Sequence, residues 1–90
     1  MKESWLLKLY VSGSTSIGAR ARANLERLCA QHLQSHYRIV VVDLLQQPAL
    51  AREHEIVAVP TVVREHPVPI RKAIGDLSDP VRAPSLFRVY

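Results

Sequence analysis

Apolar and polar positions follow two rhythms along this 90-residue chain. Trp5 to Ser12 (WLLKLYVS) is an almost continuous aromatic and aliphatic run, interrupted by Lys8 and closed by Ser and Gly. Such a run predicts a strand covered on both faces. From Ala19 to about Gln34 the spacing changes. Ala21, Leu25, Leu28, Cys29, His32 and Leu33 recur at steps of three and four, with Arg20, Arg27, Gln31 and Gln34 mostly elsewhere. That predicts an amphipathic helix of about four turns. In the turn cluster between them, Gly13 to Gly18, Thr15 or Ser16 can cap the helix through its hydroxyl.

Ser35-His36 breaks the helical period, and Tyr37 to Leu45 (YRIVVVDLL), β-branched at its centre, reads as a second buried strand. A strand, helix and strand at this spacing imply a right-handed crossover and a parallel pair. Pro48 suits the first position of a short helix running to about Glu55, because its missing amide hydrogen would have had no helical partner. Beyond Ile56 the signals conflict. Val57 to Val63 is strand-like but contains Pro60, which cannot donate to a ladder. Ile70 to Ile74 fits either strand or helix, and Pro80 and Pro84 bracket Val81-Arg82-Ala83.

The length predicts a single domain, residues 1–90, of class α/β, with no internal repeat or linker. The one thiol, Cys29, excludes an intrachain disulfide and points to a reducing compartment. The apolar run near the start is cut by Lys8, and Ile39 to Val42 is far shorter than the roughly 20 residues of a membrane span. A soluble, cytoplasmic protein is expected. The formal charge of +4 comes from scattered cations without interleaved aromatic residues, so a basic face for an acidic protein partner is expected rather than nucleic acid.

Catalytic chemistry finds little support in the side chains. Cys29 lies about eleven residues into the helix, roughly 16 Å from its N-terminus, where the helix dipole cannot activate it; a buried packing role is expected. His32 and His36 share an i, i+4 spacing, but His36 falls where the helix ends and neither His54 nor His66 completes a ligand set. No metal and no cofactor are expected. Asp43 and Asp76 read as turn or cap residues. Gly75-Asp76-Leu77-Ser78-Asp79 supplies a glycine for a left-handed position followed by capping side chains.

The order of elements, with Val59-Pro60-Thr61 ahead of a strand, resembles the thioredoxin-like fold. Where a redox thioredoxin carries Cys-x-x-Cys, this chain has Ser12-Gly13-Ser14-Thr15-Ser16, so no dithiol cycle is possible there. Four segments carry a closer resemblance: Leu7-Lys8-Leu9-Tyr10-Val11-x-Gly13, Val42-Asp43-x-Leu45-x-x-Pro48-x-Leu50-Ala51, Ala58-x-Pro60-Thr61, and Pro69-x-Arg71-Lys72-x-Ile74-Gly75-Asp76-Leu77-Ser78-Asp79. Together these are similar to the KaiB family over almost the whole chain.

The resemblance implies a non-enzymatic clock or signalling regulator that docks on the ring of a KaiC-type ATPase and modulates its phosphorylation cycle. It implies capture of KaiA or displacement of a SasA-type histidine kinase as further contacts, and a homo-oligomeric ground state, dimer or tetramer. It also implies two folds: residues 1–49 keep their β-α-β topology, while residues 50–90 exchange helix for strand, with Pro60, Pro67, Pro69, Gly75 and Asp76 as structural residues of that half. Arg20, Arg22, Arg71 and Lys72 are the candidate contacts to an acidic partner surface.

Departures from the family pattern are present. Val40 and Glu55 stand where clock members carry lysines, the turn before the helix lacks Asn-Thr-Pro, and Pro80 to Tyr90 replaces a helix-capable segment. These departures leave open a diverged stress adaptor or chaperone-like oligomer that does not act on KaiC. Because Pro84 interrupts a final helix and Leu86-Phe87-Arg88-Val89-Tyr90 reads as a strand, the ground-state arrangement with a C-terminal strand is expected.

Overall fold

A computed structural model describes residues 4–34 and 36–89. Its elements are strand β1 (Trp5–Val11), helix α1 (Ser16–Leu33), β2 (Tyr37–Asp43), α2 (Ala49–Glu53), β3 (Thr61–His66), β4 (Arg71–Ile74) and a short 3-10 helix (Ala83–Phe87). The strands form one sheet in the order β2-β1-β3-β4. β1 and β2 run parallel, from Trp5 opposite Tyr37 to Val11 opposite Asp43, as the β-α-β spacing requires. β3 returns antiparallel to β1, and β4 forms an antiparallel hairpin with β3.

The two-residue period of β1 divides the core. Leu7, Leu9 and Val11 face α1 and pack with Ala21, Leu25, Leu28, Cys29 and Val62; Leu77, Ala83 and Leu86 complete that layer from the C-terminal end. Tyr10 faces the other way and packs with Ile56 and Val63 under α2. Full burial of an aliphatic side chain such as Leu25 contributes about 2 kcal/mol, so the stripe on α1 is the main force holding that helix to the sheet. α1 starts where its cap directs: Thr15 is extended, and its hydroxyl accepts from the Gly18 amide at 3.0 Å.

Pro60 does what a residue without an amide hydrogen must: β3 begins immediately after it, at Thr61. The Val59-Pro60, His66-Pro67 and Val68-Pro69 peptide bonds are all cis. The ambiguous Ile70 to Ile74 segment resolves as strand β4 from Arg71 onward. Next, Gly75 adopts φ +103, and the acidic caps close the turn: Asp76 Oδ1 accepts from the Ser78 amide, and Asp79 Oδ1 from those of Val81 and Arg82.

The strand expected at Leu86 to Tyr90 is absent from the described part of that segment, and Tyr90 itself lies outside the described residues. Residues 83–87 instead form a 3-10 turn with Pro84 in its first positions, where a missing amide hydrogen is harmless. Leu86 is buried against the sheet and the carbonyls of Leu86 and Arg88 are taken by Arg64, which removes them from any ladder.

Candidate functional site

The C-terminal ends of β1 and β2, the start of β3 and the N-terminus of α1 meet at one end of the sheet. Gly13 turns the chain there at φ +68, a left-handed conformation that suits glycine. The Asp43 carboxylate, at the end of β2, accepts from the amides of Gly13 (2.8 Å) and Leu45 (2.9 Å) and so fixes both loops with one side chain. The loop thus held exposes Ser14, Thr15 and Ser16 where a thioredoxin would hold its thiols.

Beside it lies a shallow depression formed by Thr15, Ile17, Val59 and Pro60. Ile17 and Val59 are both exposed apolar side chains, and Leu45, exposed too, leans over Gly13 from the other side. Around the corner, between α1 and β2, an open cleft of about 510 Å³ has an apolar floor of Leu9, Val11 and Val41 and a charged rim of Arg22 and Asp43. Apolar contact surface with charge at its margin is the chemistry of a protein-docking site.

The single cysteine lies far from this end in chemical terms. Cys29 is fully buried on the apolar stripe of α1, and burial, with a contribution from Glu26, pushes its thiol up to about 12. A thiol held neutral is neither nucleophile nor metal ligand. The histidines have packing neighbours rather than shared ligand geometry: the His32 ring stacks on Phe87 at 4.6 Å, and His54 tilts against Tyr10 at 6.0 Å. Burial, and behind it the charge of Glu65, raises the Tyr10 hydroxyl above its ordinary value, so it stays protonated.

The four candidate cations do not form one patch. Arg20 and Arg22 project from α1; Arg20 reaches Asp76 at 3.3 Å, and Arg22 pairs with Glu26 at 3.2 Å. Lys72 lies on the opposite face of the sheet, donating to the carbonyls of His54 (3.0 Å) and Glu55 (3.3 Å) and tying β4 to the end of α2. Arg71 is half-buried on β4, opposite Arg64 in register. Arg22 is the one that borders the large cleft. Hydrogen bonds from Ser78, and then the Arg20 guanidinium, hold the Asp76 carboxyl below the usual range.

Arg64 escaped the sequence reading. It sits in the middle of β3 with no exposed surface, its guanidinium among main-chain carbonyls and over the Trp5 ring. The two-residue period that buries Val62 on the α1 face places Arg64 on that face as well, which is the signal that could have found it.

The chain matches the family model described as KaiB domain over residues 8–89. It is 44% identical over 79 residues to the circadian clock oscillator protein KaiB of Cyanothece sp., covering 88% of this chain and 75% of that protein. The same protein of Trichodesmium erythraeum is also 44% identical over 79 residues, with 88% and 76% covered. Among solved structures, the N-terminal domain of Synechococcus elongatus SasA aligns with TM-score 0.74 at 18% identity, over 84% of this chain and 72% of that one. Oxidized mitochondrial thioredoxin 3 of Saccharomyces cerevisiae aligns with TM-score 0.66 at 22% identity, over 83% and 70%. These structural likenesses show a thioredoxin-like fold.

Proposed function

The chain belongs to the KaiB family, and from that premise we propose that it regulates a KaiC-type ATPase by docking on its ring, without catalysis of its own. The observation that carries this reading is the serine-rich, thiol-free loop at the Pro60 end, flanked by the exposed apolar Ile17, Val59 and Leu45. A thioredoxin-like end that has lost its redox pair keeps a shape for holding another chain. Arg20 and Arg22 supply charge next to that end, and Arg71 and Lys72 supply it farther along the sheet, for an acidic partner surface. KaiA and a SasA-type kinase are the further partners, met in the cytoplasm.

The reading includes a division at residue 49, with residues 50–90 exchanging between two arrangements and self-associating as a dimer or tetramer in the ground state. Seven of the ten exposed large apolar side chains among the described residues fall in 50–90: Val57, Val59, Val68, Ile70, Ile74, Val81 and Val89. That uneven distribution supports a second packing for this half, because apolar surface left in water is stabilised by covering it.

Binding of the chain to a KaiC-type ring, measured by pull-down and by interferometry, tests the docking. Val59→Asp is expected to weaken it at least about tenfold, since a carboxylate would be desolvated at the contact. Arg71→Glu with Lys72→Glu is expected to slow association and to reduce its salt dependence, Arg20 and Arg22 retaining the remainder. A chain that binds no KaiC-type ring but suppresses aggregation of unfolded clients would replace this reading with the stress-adaptor one.

A further inference from the structure

We propose that Arg64 is the clasp that holds the C-terminal segment, residues 83–88, and the turn at Pro69 against the sheet. Its Nη1 donates to the carbonyls of Leu86 (2.9 Å) and Arg88, and its Nη2 to that of Pro69 (2.7 Å). One guanidinium thus gathers three carbonyls from two chain segments that otherwise lie apart, 69 and 86–88. The planar fork of five donors makes this possible; an ammonium on a flexible stem cannot span the same acceptors at once.

The surroundings make the attachment mutual. Arg64 is fully buried, and among the described residues no carboxylate pairs with it. Burial, and then the neighbouring Arg71, lower its pKa, and the carbonyl dipoles are what offset the cost of keeping the cation inside. Removing the tail would strip the charge of two of its three acceptors. For its part, the tail has weak anchorage of its own: its main-chain hydrogen bonds among the described residues are local, from Ala83 to Asp79, Ser85 to Arg82 and Arg88 to Ser85. Trp5 closes the clasp from the β1 side, 5.3 Å from the guanidinium and stacked on Phe87 at 5.9 Å.

The clasp deepens the docking proposal, on which it rests only for its consequence: it fixes which arrangement of residues 50–90 is presented to a partner. Its test needs no partner, so loss of the clasp with binding intact and loss of binding with the clasp intact are separate results. Amide hydrogen exchange is measured on the full chain, as wild type, Arg64→Met and Arg64→Lys. In Arg64→Met the Ser85 and Arg88 amides are expected to exchange at least about tenfold faster, while β1 and α1 amides stay within about twofold. Trp5 emission is expected to shift to the red as Phe87 leaves it, and Arg64→Lys is expected to fall between.

Wild-type exchange and emission at the tail in the folded variants would overturn the proposal. Should Arg64→Met fail to fold, Arg64→Lys is read alone. Exchange of the Arg64 Nε–H in the wild type provides the remaining measurement. This proton is buried without an acceptor among the described residues. Slow exchange at the rate of the tail amides supports the clasp, and free exchange under a protected tail rejects it.

Discussion

Asn24, half-buried on α1, donates from Nδ2 to the main-chain carbonyl of Asp76 at 2.8 Å, so the long helix of the first half holds the turn that ends the sheet in the second half. Arg20, one turn earlier, reaches the carboxylate of the same Asp76. The amide bond is the more durable of the two, being partly buried where the ion pair is exposed. Asn24→Ala is expected to destabilise the fold by about 1 kcal/mol, read as a lower midpoint at unchanged slope in urea. Asn24→Asp is expected to do worse, because a carboxylate would face the carbonyl it replaces a donor to. Equal stability of both variants and the wild type would remove this link between the halves.

Acid weakens the turn at 75–79 through two carboxylates. Asp76 is held below the ordinary range by Ser78 and then Arg20, Asp79 by the amides of Val81 and then Arg82. A carboxyl whose folded pKa is depressed adds stability above its unfolded pKa of about 3.9, and that stability fades as pH falls from there through the folded value. Thermal unfolding followed from neutral pH downward is therefore expected to lose stability below about pH 4, and Asp76→Asn and Asp79→Asn each to flatten that slope. NMR titration showing either carboxyl at or above the unfolded value would contradict the prediction.

Cys29 is expected to resist alkylation in the native chain and to react rapidly once urea exposes it, since both burial and the raised pKa suppress the thiolate. Cys29→Ala is expected to leave partner binding unchanged and to cost about 1 kcal/mol for the small cavity. Cys29→Ser places a hydroxyl without a partner in an apolar layer and is expected to cost about 1–3 kcal/mol. Rapid native labelling at neutral pH would contradict this assignment.

The loop at the proposed docking end depends on Asp43 and Gly13. Asp43→Ala leaves two amides without their acceptor and is expected to cost about 1–2 kcal/mol. Gly13→Ala meets Leu45 Cδ1 at 2.7 Å, but Leu45 is exposed and free to swing away, so the backbone at φ +68 sets the cost at about 1 kcal/mol. Both variants are expected to weaken binding to a KaiC-type ring more than stability alone accounts for. Unchanged affinity in folded variants would place the contact elsewhere.

The first half was legible because each element there carries its own period and each period meets a matching face. Leu25, Leu28 and Cys29 line the helix at steps that land on Leu7 and Leu9, and Thr15 marks the start. The turn after β4 was legible from side-chain chemistry, since Gly75, Asp76 and Asp79 each do what their residue type favours. The tail was not. Leu86 to Tyr90 reads as a terminal strand, but whether it pairs or packs depends on acceptors held by Arg64, 22 residues away from Leu86 in the chain. The candidate cations were legible as charge but not as a surface, because the alternation of side chains along β4 puts Lys72, opposite Val63, on the face away from α1 and its two arginines.

Gly75 leaves nothing within 4 Å of where a side chain would begin, yet its φ of +103 excludes ordinary residues from comfort there. The corner discriminates by handedness and is indifferent to bulk. A mirror-image alanine introduced by chemical ligation would therefore fit it without strain and stiffen the unfolded chain, a gain of about 0.4–1 kcal/mol. Its natural enantiomer at the same atom count would loosen the corner instead.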